Sequence, residues 1–453
     1  MSDVVVSEEP APVAPRRAIP VTKKEIFGWA MFDFANSSYT TVVITAVYSV
    51  FFVGTIVPAD STVRDSYWST AILISMVVAL LLSPMAGAII DKSGRKKAWL
   101  AASCLICSLG TAALFFVGPG DVWLAIVLIV VSNAGFMLSE AFCASFLPDI
   151  ATPENMGRIS GFGWGFGYLG GLLSVAIASL VIITADPASE PGRYLAQHQW
   201  AMAAMGAFFL LAALPTFLLV KNRSLPAPGY ESASMGRLVA AGFRELLDTA
   251  RTVRRYRVLF QFLVAFMIYM AGLDAIVKFV GIYAREEVGL TGGEFVLLFL
   301  VLQLAAVAGA VGFGFLEGVL GAKRTVMLTL LWWIVGILGI YFLEPLAQLT
   351  GLTTKQLFNG LGLFAGAGIG ATQASSRTVV GLLSPVDRSA QMFGFWGMFS
   401  RLGSILGVGF GFVADAFGSR RAGVLLVLAF FVVGLALLSR IDIARGAREA
   451  RAG

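Results

Sequence analysis

The chain has 453 residues, 58% of them hydrophobic and 13% charged, with 33 Lys plus Arg against 27 Asp plus Glu for a net charge of +6. A soluble domain carries about 25% charged residues, so the composition excludes a soluble globular chain and implies a polytopic membrane protein. The basic residues cluster at the ends of apolar segments, which excludes a nucleic-acid-binding face as the meaning of the positive charge.

Residues 1–25 hold Pro10, Pro12, Pro15 and Pro20 and lack the apolar core of a signal peptide. They read as a disordered cytoplasmic tail. A span needs about 20 mostly apolar residues to cross about 30 Å of hydrocarbon, and such runs fall near 26–53, 67–90, 98–118, 122–147, 160–184 and 199–220. A polar stretch, 221–257, follows this first half. Within it Arg237, Arg244, Asp248, Arg251 and Arg255 share one helical face and Val239, Phe243 and Leu246 the other, which predicts an amphipathic helix on the inner leaflet. Six further runs fall near 258–284, 294–317, 325–343, 356–383, 391–414 and 421–439, before a polar tail at 440–453.

Twelve spans in two six-helix halves put both termini on one side. The segments of that side hold 24 of the 33 basic residues, the opposite loops hold six, and Lys278, Arg377 and Arg401 lie in spans. Excess Lys and Arg stays cytoplasmic, so both termini are expected in the cytoplasm of a cell whose inner membrane holds the protein. Cys104 and Cys107 form a C-x-x-C inside an apolar run without a βαβ pattern, so no redox or metal role is expected. The single histidine, His198, and the lack of nucleophile-elbow, zinc or phosphate-loop motifs argue against an enzyme, a metal site or a cofactor.

Gly163, Gly167 and Gly171 recur every four residues in the fifth span, and Gly403, Gly407 and Gly411 do so in the eleventh, 240 residues on. Such rows strip one helix face so that backbones touch, either as static packing or as surfaces that slide. A similar row, Gly362, Gly366 and Gly370, lies in the tenth. The loops after spans two and eight also correspond: Gly87, Asp91, Gly94, Arg95, Lys96 and Lys97 in one, Glu317, Gly321, Lys323 and Arg324 in the other. Two related six-span halves joined by a linker are the footprint of alternating access.

The segment from Gly87 through Asp91, Gly94, Arg95 and Lys96 to Lys97 resembles the loop signature of the major facilitator superfamily. The stretches Gly28 to Tyr39, Arg158 to Gly171 and Gly370 to Arg377 narrow the resemblance to its "unknown major facilitator" branch, which is similar to the autophagy-related vacuolar amino-acid effluxers of fungi. The resemblance implies an all-α major facilitator fold, transport by rocking of the two halves, and amino acids as the substrate class. It also implies that Asp91 caps a facing helix and pairs with Arg side chains to latch the cytoplasmic side. The chain departs from the branch where Asp-Gly in the seventh span reads Ala271-Gly272 and where Gly-Pro in the eleventh reads Gly407-Val408.

A charge in hydrocarbon costs at least about 2.5 to 3.5 kcal/mol, so each one needs a cavity, a partner or a function. Asp33 with Asn36 and Tyr39 forms a hydrogen-bonding stretch of the first span, a candidate substrate site in which Asp33 also suits a coupling proton; the alternative is a tie to a basic neighbour. Glu140 is a second proton candidate, or a salt-bridge partner of Arg95 or another inner cation. Arg401 offers a fork for a substrate carboxylate or for an internal acid. Asp274 suits the same cavity or an i, i+4 pair with Lys278. Gln373 approaches the inner end of the tenth span, where Arg377 reads as snorkelling, while Trp164, Tyr168 and Trp396 line a cavity or pack. The expected partners are a small polar solute, an amino acid first, with a coupling proton and membrane lipid, but no nucleic acid. A monomer is expected.

Overall fold

The computed structural model describes residues 19–251, 256–417 and 420–452. Most of the N-terminal tail, 1–18, lies outside the described residues. No β-strand occurs among them, and twelve long helices run through them: α1 Lys23–Ile56, α2 Arg64–Ser93, α3 Lys96–Phe116, α4 Val122–Ile150, α5 Met156–Ile182, α6 Pro191–Leu219, α7 Arg257–Glu286, α8 Gly292–Leu320, α9 Ala322–Tyr341, α10 Thr354–Leu383, α11 (Ser389–Gly407 with Gly409–Ala416) and α12 Arg420–Ser439. The Thr22 hydroxyl caps α1 by accepting from the Glu25 N–H at 3.2 Å. The β-branched run after Tyr39 then widens α1 into π-helical turns over Tyr39–Ala46, where crowded side chains weaken the regular helix.

Ten of the twelve helices are long and apolar enough to cross a bilayer by composition alone; α10 and α11 are not among them. Their lower hydropathy has a packing cause. From Gly366 to Leu383, α10 is almost wholly buried among other helices and built largely of Gly, Ser, Thr and Ala, and the inner turns of α11 are buried likewise. These helices trade lipid-facing aliphatics for close approach.

Each half has its own core. One gathers Trp29, Phe32, Tyr48, Phe146 and Phe209 from α1–α6, the other Phe262, Phe266, Trp333 and Phe431 from α7–α12. Two largely separate cores, which among the described residues share only the buried Ala390 and Ala144 across the halves, permit the halves to move as bodies. The linker helix, Met235–Arg251, seats Leu238 and Ala241 against α2, where a Cβ on Gly242 would meet Ile89 at 2.5 Å. Its Met235, Val239 and Phe243 stay exposed, one apolar row at i, i+4, i+8 facing away from the protein. A final helix, Ile443–Ala452, buries Ile443 and Ala447.

The start of α1, the end of α12 and the linker helix lie at one end of the molecule, termed the inner end. Hydrogen bonds and ion pairs between the halves are seen, among the described residues, in the inner parts of the spans and at mid-span. The molecule is closed at the inner end.

Candidate functional site

Two ion pairs join the halves at mid-span. Arg377 of α10 donates from Nη1 to Asp33 Oδ2 of α1 at 2.6 Å, from Nε to Ser160 Oγ of α5 at 3.1 Å, and from Nη2 to the Ser160 carbonyl at 2.8 Å. Its guanidinium lies 4.7 Å from the ring centroid of Trp29 and 5.3 Å from that of Trp164. A flat, weakly hydrated cation suits such a slot between indoles. Gly163 leaves the room for it, since a Cβ there would stand 2.5 Å from both Arg377 Nη2 and Asp33 Oδ2. The Arg377 side chain is 3% exposed, so the residue read as snorkelling is instead the buried counter-ion of Asp33. The face of α10 that carries it packs on α5, which shuts the route to the inner surface.

The second pair is wetter. Arg401 of α11 donates to Glu140 Oε2 of α4 at 2.7 Å, with side chains 16% and 23% exposed. The pair joins the two halves while both side chains stay partly exposed. Glu140 therefore pairs with Arg401 and not with Arg95. Tyr168 donates to Gln373, again across the halves, and the indole N–H groups of Trp164 and Trp396 have no acceptor.

The other candidates sit apart from this layer. Tyr39 shares a hydrogen bond of 2.9 Å with Ser132 and stacks on Phe136, inside the first half. Asn36 is buried one turn from Asp33. Asp274 and Lys278 pair at 3.5 Å on the outer part of α7, and Lys278 also donates to Ser404 Oγ of α11 at 3.0 Å.

The inner end closes through the loop signature. Asp91 accepts from the N–H groups of Ala390 and Gln391 at 3.1 and 2.8 Å, so an anion caps the first turn of α11. Lys96 is buried and donates to Asp149 at 3.1 Å, the Ser145 carbonyl at 3.2 Å and Ser389 Oγ of α11 at 2.6 Å. Gly94, at φ +63°, makes the turn between them, and a Cβ there would overlap the backbone of Leu225 and Pro226. That turn sends Arg95 outward, where it is exposed and makes no ion pair among the described residues. Asp91 thus sits on the N-terminus of a facing helix, while its expected pairing with Arg side chains is not seen among the described residues. Sequence reasoning missed a further clasp: Glu245 of the linker helix binds Lys92 at 2.9 Å and Arg388 at 2.7 Å, one cation from each half. Its placement six residues before Arg251, where the basic run of the linker begins, carried no signal of this.

The glycine rows divide by role. Gly163, Gly167 and Gly171 face Asp33, Ser37 and Thr41 of α1, with Gly163 also against Arg377 of the other half, and Gly403 and Gly407 face the Met267 and Ala271 carbonyls of α7 in their own half. The surroundings of Gly411 lie outside the described residues. On α5 a second row, Gly157, Gly161 and Gly165, faces Glu317, Ala310 and Val311 of α8, across the halves.

Residues 53–451 match the family model described as "Vacuole effluxer Atg22 like". The chain belongs to that family. It is 27% identical over 422 residues to the uncharacterized MFS-type transporter YxiO of Bacillus subtilis (strain 168), covering 92% of this chain and 94% of the relative. It is 23% identical over 311 residues to autophagy-related protein 22-1 of Neosartorya fischeri, covering 65% of this chain and 49% of the relative. The chain spans about half the length of that fungal relative. Among solved structures, the MFS proton:xylose symporter XylE superposes with a TM-score of 0.69 at 12% identity, covering 92% of this chain and 95% of that one. A bacterial homologue of the iron transporter ferroportin, in its outward-facing state, gives 0.66 at 13% identity, covering 92% and 98%. These likenesses show a major facilitator fold. An Atg22-like chain with that fold is an integral membrane transporter, and its ion-paired mid-span layer lies where the two halves meet.

Proposed function

We propose that the protein carries an amino acid across a bacterial inner membrane by alternating access, with both termini cytoplasmic and a proton coupled to the cycle. The observation that carries the substrate class is the Glu140–Arg401 pair. It offers one carboxylate and one guanidinium side by side, joined across the halves and partly exposed. A zwitterion presents the same two charges: its carboxylate replaces Glu140 on the Arg401 fork while its ammonium takes over Glu140. The buried Asp33–Arg377 layer lies on the inner side of this pair and bars passage in the inner-closed state. The fungal relatives' link to vacuolar efflux supports the same class. Glu140 is better placed than Asp33 to exchange a proton with the outer side, being the more exposed acid of the two pairs.

Thermal unfolding of the purified protein with amino acids, sugars and cationic drugs at millimolar concentration tests this reading. A ligand at 100 times its dissociation constant stabilises the folded state by about 2.7 kcal/mol. An amino acid is expected to raise the midpoint in the wild type and to have no effect on Arg401→Ala. A shift with sugars or drugs alone overturns the substrate class.

A further inference from the structure

Glu317 is a buried acid that the transport layer does not use. It lies one turn from the inner end of α8 and is 6% exposed, wedged between α10 of its own half and the first turn of α5 in the other. A Cβ on Gly157 of α5 would overlap its carboxyl group. The hydroxyls of Ser375 and Thr378 of α10 face it, yet its Oε2 has no hydrogen-bond partner.

The cations around it are committed elsewhere or exposed. Arg158, next to Gly157 on α5, lays its guanidinium on the Phe315 ring at 4.7 Å. Arg377 of α10 is held by Asp33 and Ser160. From α9, Lys323 donates to the Ser439 carbonyl at 2.8 Å, and Arg324 is exposed. Glu317 makes no ion pair among the described residues.

Its counterpart in the first half behaves differently. Asp91 ends α2 as Glu317 nears the end of α8, and both meet the start of a helix from the opposite half. Asp91 receives two backbone N–H groups there, whereas Glu317 receives none. One acid of the symmetric gate is compensated by a helix terminus, and the other has, among the described residues, neither a helix terminus nor a cation, only the hydroxyls of Ser375 and Thr378. An ionised carboxylate sealed in that contact is a buried charge without a counter-ion, which proteins avoid by neutralising the group.

We propose that Glu317 binds a proton as the inner end closes and releases it when α5 and α8 part, so that the gate responds to pH on the inner side. The route is short: opening separates Gly157 from Glu317 and wets the carboxyl from the inner face. The proton enters and leaves on that face and is not the transported one. The inference rests on the family and on the closed contact, not on the substrate.

Spin labels at exposed Thr152 and Arg440, one on each half, report the inner-end distance in a substrate-free chain whose three native cysteines are replaced. The closed population of the wild type is expected to rise as pH falls, by at most tenfold per unit for one proton. Glu317→Gln is expected to be closed at every pH, and Glu317→Asp to keep the dependence. A closed population independent of pH in the wild type, or a full pH response in Glu317→Gln, overturns the proposal. Because no ligand is added, the outcome stands apart from the amino-acid reading.

Discussion

Asp33 and Arg377 show what a charge inside a membrane bundle requires. Each is buried, and each pairs with the other, with Ser160 taking two further guanidinium donors. Removing one partner leaves an uncompensated buried charge, a loss of about 3 to 5 kcal/mol, while replacing both by neutral groups of similar size is far milder. Asp33→Asn and Arg377→Met are therefore each expected to lower stability by about that amount, and the double variant to recover at least half of it, as read by denaturant unfolding in detergent. Single variants as stable as the wild type would show that the pair contributes nothing to the closed form. Sequence alone marks Asp33 as a charge in need of compensation, since hydrocarbon offers none. The identity of its partner was not legible, because it depends on how far α10 is rotated against α1 and α5. The same holds for Glu140, whose partner Arg401 lies 261 residues away.

Helices α1 and α5, and likewise α7 and α11, are held by glycine rows that let side chains of one touch the backbone of the other. The spacing of Gly163, Gly167 and Gly171 was legible as a stripped face, but whether that face stays fixed or moves depends on which helix meets it. It meets α1, of the same half. The row that crosses the halves, Gly157, Gly161 and Gly165, has the same spacing and lies on the opposite face of α5, so a search for i, i+4 glycines beyond the first match would have found it. Two glycines of α5, Gly170 beside the first row and Gly161 in the second, predict opposite outcomes for one added methyl group. A Cβ on Gly170 would overlap the Phe34 carbonyl of α1, within one half, in whichever state the transporter adopts. A Cβ on Gly161 would overlap the Ala310 carbonyl of α8, a contact that belongs to the closed inner end. Overpacking costs roughly 1 to 3 kcal/mol. Gly170→Ala is expected to destabilise the fold by that much, seen as a lower unfolding midpoint. Gly161→Ala should leave the midpoint nearly unchanged and instead shift the closed-to-open ratio about tenfold or more toward the open inner end, measured by the same spin-label distance. A loss of stability equal to that of Gly170→Ala would place both rows in the static core.

The number of spans is a property of the whole chain. Counted by length and mean hydropathy together it comes to ten, because α10 and α11 spend their residues on close packing between helices. As mostly apolar runs the spans number twelve, and the alternation of basic segments supports that number, since it reports where the chain must turn and not how greasy each crossing is. The linker helix was legible as amphipathic for the same reason of pattern, whereas its clasp through Glu245 depends on the juxtaposition of α2 and α11 in space. The orientation of the molecule rests on charge: 24 basic residues border the inner end and six the outer loops, and a translocating loop rich in Lys and Arg is held back. A fluorescent protein fused after residue 453 is therefore expected to fold and fluoresce in the cytoplasm. Alkaline phosphatase, active only outside the cytoplasm, is expected to be active when fused in the outer loop at residue 188 and inactive at residue 229 in the linker. The opposite pattern would invert the molecule, placing the Asp91 and Lys96 gate and the Glu317 contact on the outer face. The partly exposed Glu140 and Arg401 would then face the cytoplasm, and the substrate would be loaded from within in the state described here.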